Sequence, residues 1–119
     1  MTAARRILII DDNKDAADLL RDLVSIYGHE AVVAYGGRQG LEAAETVRPE
    51  VAFVDIGMPD MDGYAVARAL RRTAHGAKMR LIALTAWTDR QTHELVQAAG
   101  FDVHLGKPAS LDTVMAHLA

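Results

Sequence analysis

The chain is predicted to be a doubly wound α/β domain, a five-stranded parallel sheet with helices on both faces, and three observations carry that prediction. First, three all-apolar runs, residues 7–10, 51–54 and 81–84, show no polar alternation, which suits strands buried on both faces. Second, each run stops abruptly on a polar residue, Asp11, Asp55 and Thr85 in turn. Third, the stretches between them carry apolar residues at helical spacing and connect through only a few residues, the alternation of a parallel sheet. Right-handed crossovers leave few ways to arrange such a chain, and the strand order 2-1-3-4-5 is one of the two common ones.

In chain order, Ile7 to Ile10 form the first strand and close on Asp11-Asp12. Asn13 or Asp12 caps the helix that follows, with Ala16, Leu20, Leu23 and Tyr27 at helical spacing and Gly28 as its stop. Glu30 to Tyr35 is a short strand broken by Gly36-Gly37, and Arg38 to Arg48 a helix with Leu41, Ala44 and Val47 near one face, ended by Pro49. Val51 to Asp55 is the central strand, and Gly57, Pro59 and Asp62-Gly63 turn the chain away from it. Gly63 opens a helix with an inward stripe of Val66, Ala69 and Leu70, ended by His75-Gly76. The strand ending at Thr85 precedes a helix capped by Thr88 or Asp89, carrying Leu95, Val96 and Ala99 and closed by Gly100. Phe101 to Leu105 is the last strand, and after Gly106-Lys107-Pro108 a helix capped by Ser110 carries Leu111, Val114, Met115 and Leu118. The topology is flavodoxin-like, and residues 1–119 are expected to form a single domain.

Composition bounds what such a domain does. The 119 residues suffice for one core, and with 50% hydrophobic and 24% charged residues the balance is that of a globular protein. A net charge of -3 with no basic stripe argues against direct nucleic-acid binding. The absence of cysteine excludes disulfides and thiolate metal sites. The opening residues from Met1 carry too short an apolar run for a signal peptide or a bilayer span. A cytoplasmic chain without membrane insertion is the expectation.

The residues just past strands one, three, four and five of such a sheet gather along one edge, where open α/β sheets bind ligands. They are Asp11 and Asp12, Asp55, Thr85 and Lys107. Singly, each has an ordinary explanation: capping acids, a turn-forming acid, a strand-end threonine and a solvated lysine. Together they put three mutually repelling carboxylates in one place, which a hard divalent cation resolves, Mg²⁺ being the natural candidate. Asp55 at the carboxyl end of a central strand is a metal ligand, a nucleophile, or both. With a hydroxyl from Thr85 and an ammonium from Lys107, the set suits phosphoryl transfer to Asp55.

The stretches Ile-Leu-Ile-Ile-Asp11-Asp12-Asn13, Val-Asp55-Ile-Gly-Met-Pro59-Asp60-Met-Asp62-Gly63, Ala-Leu-Thr85-Ala86 and Lys107-Pro108 resemble the receiver domains of bacterial two-component response regulators along essentially the whole chain. The resemblance implies that Asp55 accepts a phosphoryl group from a histidine kinase or a histidine phosphotransfer domain. It implies Mg²⁺ held by Asp12 and Asp55, by Asp11 through water and by the backbone carbonyl of Gly57. Thr85 would hydrogen-bond the phosphoryl group, Lys107 would pair with it, and Lys107-Pro108 would be a cis peptide. In that family the threonine is coupled to an aromatic ring three positions before the lysine. Here that position is His104, which either serves as a polar, titratable switch residue or stays exposed and takes no part.

Other departures flank the site. Gly57 leaves no side chain two positions after Asp55, and Trp87 lies two after Thr85, where its indole either shields an acyl phosphate or faces a partner. Met58 and Met61 either meet a partner helix or fill a gap beneath the loop. His29, His75, His93 and His117 show no pairing at metal spacing in the sequence and are expected at solvated surface.

Two other functional classes fit less well. An aspartyl-phosphate phosphatase or dehalogenase-like hydrolase needs a second acid two residues after the nucleophile, where Gly57 stands. A flavin or nucleotide binder needs a phosphate cradle after the first strand, where Asp11-Asp12 would repel an anion. The expectation is a signalling phosphoacceptor rather than an enzyme with a separate substrate, with its output partner unknown. Whether it stands alone or belongs to a hybrid kinase is open. The segment after Asp55 looks more like the receivers of hybrid kinases, and Ala109 stands where winged-helix regulators usually carry Phe.

Overall fold

In the computed structural model, which describes residues 4–87 and 89–118, five parallel strands pair in the order β2-β1-β3-β4-β5. The strands are β1 (Arg6–Ile10), β2 (Glu30–Ala34), β3 (Val51–Asp55), β4 (Arg80–Thr85) and β5 (Val103–Gly106). The helices are α1 (Lys14–Ile26), α2 (Gly37–Val47), α3 (Gly63–Arg71), α4 (Arg90–Ala99) and α5 (Leu111–Ala116). This is the architecture and strand order read from the apolar runs.

The unbroken apolar runs have a direct cause in the pleat, which sends successive side chains to opposite faces. Leu8, Ile10, Ala52, Val54, Leu81 and Ala83 enter a core shared with Ala44 of α2, Val66 and Leu70 of α3, and Val96 of α4. Ile7, Ile9, Val51, Phe53, Ile82 and Leu84 enter the opposite core with Ala17 and Val24 of α1 and Val114 of α5. Both faces are covered, so every strand position in the middle of the sheet is apolar. Asp55 continues the row of Val51 and Phe53, on the α1 and α5 side, whereas Thr85 continues that of Leu81 and Ala83, on the α4 side.

The helix caps match the side chains at their starts. Asn13, Asp62, Asp89 and Ser110 each accept a backbone N–H three residues on, and Gly100 ends α4 in the left-handed region at φ 105°. Of the two caps read for α1, Asn13 is the one used, and for α4 it is Asp89; Thr88 lies outside the described residues.

Several expectations need correction. The inward stripe of α1 is Ala17 and Val24 with half-buried Leu20, one residue on from Ala16 and Leu23, and Tyr27 is an exposed cap residue. Helix α2 stops at Val47 because Arg48 takes a left-handed conformation at φ 50°. Helix α3 ends at Arg71, well before His75, and a short 3₁₀ turn (Gly76–Lys78) leads into β4. Within α3, Ala67 is fully buried while Ala69 is only partly so. In α4, Leu95 faces solvent and buried Thr92 takes its place on the inner side with Val96 and Ala99. Strand β2 ends at Ala34, and β5 begins at Val103, since Asp102 is occupied in capping the edge of β4 by accepting the Leu81 N–H.

Candidate functional site

The carboxyl ends of β1, β3, β4 and β5 bring Asp11, Asp55, Thr85 and Lys107 to one edge, as the strand-end reading requires. Asp11, Asp55 and Thr85 are buried, and Asp12 is exposed beside them. Asp11, Asp12 and Asp55 each offer a carboxylate oxygen, all within 4.8 Å of one another.

Lys107 joins the two buried acids. Its Nζ donates to Asp11 Oδ2 at 3.0 Å and lies 3.6 Å from Asp55 Oδ1. The backbone completes the arrangement: Asn13 N–H donates to Asp11 Oδ1 at 3.0 Å, and Gly57 N–H to Asp55 Oδ1 at 3.2 Å. Thr85 accepts the Trp87 N–H on its hydroxyl oxygen at 3.0 Å, and its carbonyl accepts the Lys107 N–H at 2.9 Å. The second bond ties the β4 end to the lysine-bearing loop, and the first turns the chain just after β4. The Lys107-Pro108 peptide is cis.

Burial, reinforced by the neighbouring charge of Asp11, pushes the Asp55 carboxyl up to about 6, against the pull of Lys107 and of the Gly57 N–H. Burial alone would lower the Lys107 ammonium, but its hydrogen bond to Asp11 and the charges of Asp11 and Asp55 outweigh this and leave it above its ordinary value. The cluster is therefore short of positive charge: one ammonium faces two buried acids and an exposed third. That deficit, with oxygen donors alone, is what a hard divalent cation relieves.

Gly63 sets the loop after Asp55. Its N–H donates to the Ile56 carbonyl at 2.9 Å, and a Cβ at this position would sit 2.6 Å from the Asp55 carbonyl oxygen. Gly57 is the opposite case, with open space where its Cβ would be. Met58 is buried in the core and Met61 packs against it, so the gap-filling alternative holds for both. Trp87 is 69% exposed.

Four contacts escaped the sequence reading. Asp60 in the β3–α3 loop accepts N–H groups from Gly37 and Arg38 and so caps α2 from another element. Arg71 links α3 to the α4–β5 connection through the Gly100 carbonyl and the Asp102 carboxylate. His29, expected at the surface, is buried and accepts the Arg5 N–H on Nδ1. His104 is half-buried, and its ring meets that of His93 on α4. For Asp60 and Arg71, only a loop acid and a basic residue in the last turn of a helix were visible in sequence, and neither names its partner.

Beside the acidic cluster runs an apolar groove of about 370 Å³ whose lining includes Asp11, Lys107, Leu19, Leu20, Leu23 and Pro108. Leu19 and Ile26, two turns apart on α1, are 60% and 76% exposed. Among the described residues no helix is long and apolar enough to cross a membrane.

Comparison with known proteins gives a consistent picture. A family profile described as "Response regulator receiver domain" matches residues 7–119. Response regulator MprA of Mycolicibacterium vanbaalenii is 33% identical over 113 residues, covering 95% of this chain but only 48% of MprA. The chain thus spans about half the length of that relative. Among solved structures, chemotaxis protein CheY4 of Vibrio cholerae superposes with a TM-score of 0.93 at 26% identity, over 98% of this chain and 97% of CheY4. The receiver domain of sensor histidine kinase PA1611 from Pseudomonas aeruginosa, solved with a magnesium ion coordinated in its active-site cleft, gives 0.88 at 27% identity, over 98% of this chain and 95% of that one.

Proposed function

From the membership of this chain in the response regulator receiver family, we propose that residues 1–119 act as one phosphorelay receiver in the cytoplasm. Asp55 takes a phosphoryl group from a histidine kinase or a histidine phosphotransfer domain, and the changed domain then acts on an output partner. The observation that carries this reading is the pairing of Lys107 with both Asp11 and Asp55 at the carboxyl edge of the sheet. It brings residues distant in sequence into one charge-deficient cluster beside a nucleophile.

In the reaction, an Asp55 carboxylate oxygen attacks phosphorus as the bond from phosphorus to the donor imidazole nitrogen breaks. The freed imidazole keeps the electron pair and takes up a proton. Mg²⁺ would be held by Asp12 and Asp55, by Asp11 through water, and by the Gly57 carbonyl; when bound it neutralises charge building on the phosphoryl oxygens. Lys107 supplies a point charge to the same oxygens, and the Thr85 hydroxyl a hydrogen bond. The chain turns over its own aspartate and has no separate substrate.

The donor has a place to dock. The groove between α1 and Pro108 is continuous with Asp11 and Lys107, so an amphipathic helix laid on exposed Leu19 and Ile26 would bring its histidine to Asp55. Thr85 and His104 lie on rows facing α4, and turning the Thr85 hydroxyl to donate to a phosphoryl oxygen would move the oxygen that accepts the Trp87 N–H and so alter that face. His104 serves there as the switch position.

The test is incubation with Mg²⁺ and acetyl phosphate. A base-labile mass increase of one phosphoryl group, lost in Asp55→Asn, and a Trp87 fluorescence change on adding Mg²⁺ are the expected results. A folded protein that shows neither refutes the reading.

A further inference from the structure

The imidazoles of His93 on α4 and His104 on β5 face each other with Nδ1 atoms 3.3 Å apart, ring centroids 5.0 Å apart and planes tilted by 57°. Two neutral rings sharing one proton favour a shorter separation, about 2.9–3.0 Å for a nitrogen donor. At 3.3 Å the two nitrogens stand at the long end of hydrogen-bond range, and the spacing also fits a second geometry. Two nitrogens each about 2.05 Å from a tetrahedral ion stand about 3.3–3.4 Å apart, and the centroids of rings pointing at that ion about 5.2 Å apart. Both distances agree with that arrangement. A square-planar ion such as Cu²⁺ would draw the nitrogens to about 2.9 Å.

We infer that His93 and His104 form a two-histidine site for a tetrahedral divalent transition ion, with Zn²⁺ the best match. Imidazole nitrogens do not suit Mg²⁺, and the oxygen-only cluster at Asp11, Asp12 and Asp55 does, so the two sites select different ions by donor type. His93 is exposed and His104 half-buried, so the ion has an open approach and water fills its remaining positions. The ligands come from two elements, and an ion held between them fastens α4 to β5. His104 pairs with Ala83 in the β4–β5 register, two residues before Thr85 on the same row. If that row transmits phosphorylation, zinc restrains it; this consequence alone rests on the receiver function proposed above, and the binding itself does not.

Binding is tested on ¹⁵N-labelled protein at pH 7.5 in millimolar Mg²⁺, which occupies the acidic cluster, with Zn²⁺ as the titrant. The Nδ1 resonances of His93 and His104 are expected to shift together at one ion per chain, while those of His29, His75 and His117 stay. His93→Gln and His104→Phe, which both keep side-chain bulk, are each expected to weaken zinc by about tenfold or more, and Asp55→Asn to leave it unchanged. Zinc affinity in both histidine variants equal to that of the parent, loss of binding in Asp55→Asn, or no shift of these two rings overturns the site. Separately, zinc is expected to reduce the amide shifts of α4 induced by acetyl phosphate. If zinc binds at the two rings and those shifts persist, the restraint fails while the site stands. Absence of phosphorylation without zinc would instead refute the receiver reading.

Discussion

Lys107 stands closer to Asp11 than to Asp55, at 3.0 Å against 3.6 Å. The ammonium is hydrogen-bonded to Asp11 and not to Asp55, the proposed phosphoacceptor, which it reaches through charge. It can therefore turn toward a phosphoryl group on Asp55 without first breaking a hydrogen bond to that carboxylate. Lys107→Met leaves Asp11 and Asp55 facing each other without compensation. The Asp55 carboxyl, already near 6, is expected to rise further, followed by carboxyl ¹³C shifts against pH in metal-free protein. An unchanged titration would show that Lys107 does not act on Asp55.

The raised Asp55 value has a consequence for stability whose sign is fixed. A carboxyl near 6 when folded and about 3.9 when unfolded holds its proton more tightly in the folded state. Ionising it therefore costs stability as pH rises from about 4 to about 6, and above that the full cost is present. Asp55→Asn, without metal, is expected to gain up to about 3 kcal/mol at pH 7.5 and almost nothing at pH 4. Denaturant melts at the two pH values measure this, and an equal gain at both would contradict it.

The two glycines of the β3–α3 segment should respond oppositely to one methyl group. Gly57→Ala meets open space and is expected to leave the unfolding midpoint within error. Gly63→Ala drives its Cβ into the backbone of Asp55 and Ile56; it is expected to cost about 1–3 kcal/mol and to weaken Mg²⁺ binding, because the displaced loop carries the Gly57 carbonyl. Thermal melts and Mg²⁺ titrations read both.

The proposed docking on α1 should separate from the proposed chemistry at Asp55. Leu19→Asp changes a residue that is 60% exposed, so folding should be unaffected. Transfer from a phosphorylated histidine protein is expected to slow by about tenfold or more, the loss of one apolar anchor, while labelling by acetyl phosphate proceeds at the parent rate. Equal slowing of both donors would place Leu19 in the chemistry instead.

How much of this was legible beforehand depends on the kind of contact. The sheet was, because strands buried on both faces need apolar residues at consecutive positions, and few other folds ask for that. The meeting of Asp11, Asp55, Thr85 and Lys107 followed from the same logic, since parallel strands end on one edge. The α1 stripe was not: Ala16-Ala17, Leu19-Leu20 and Leu23-Val24 are adjacent apolar pairs that offer two neighbouring faces of similar quality. Packing against the sheet chose Ala17 and Val24. Asp60 capping α2 and His93 meeting His104 depend on how a loop and a helix sit over distant residues, which periodicity does not encode. His29 gave no sign of burial, because its partner at Nδ1 is the backbone N–H of Arg5, a contact that side-chain periodicity does not encode.

The most direct measurement is chemical trapping of the phosphorylated residue. Protein treated with acetyl phosphate and Mg²⁺ is reduced with borohydride, which converts an acyl phosphate on aspartate to homoserine, and its peptides are sequenced by mass spectrometry. Homoserine at position 55 alone, absent when the metal is chelated, is the predicted result. Homoserine at another aspartate, or at position 55 with or without metal alike, would contradict the assignment of Asp55 as a magnesium-dependent phosphoacceptor.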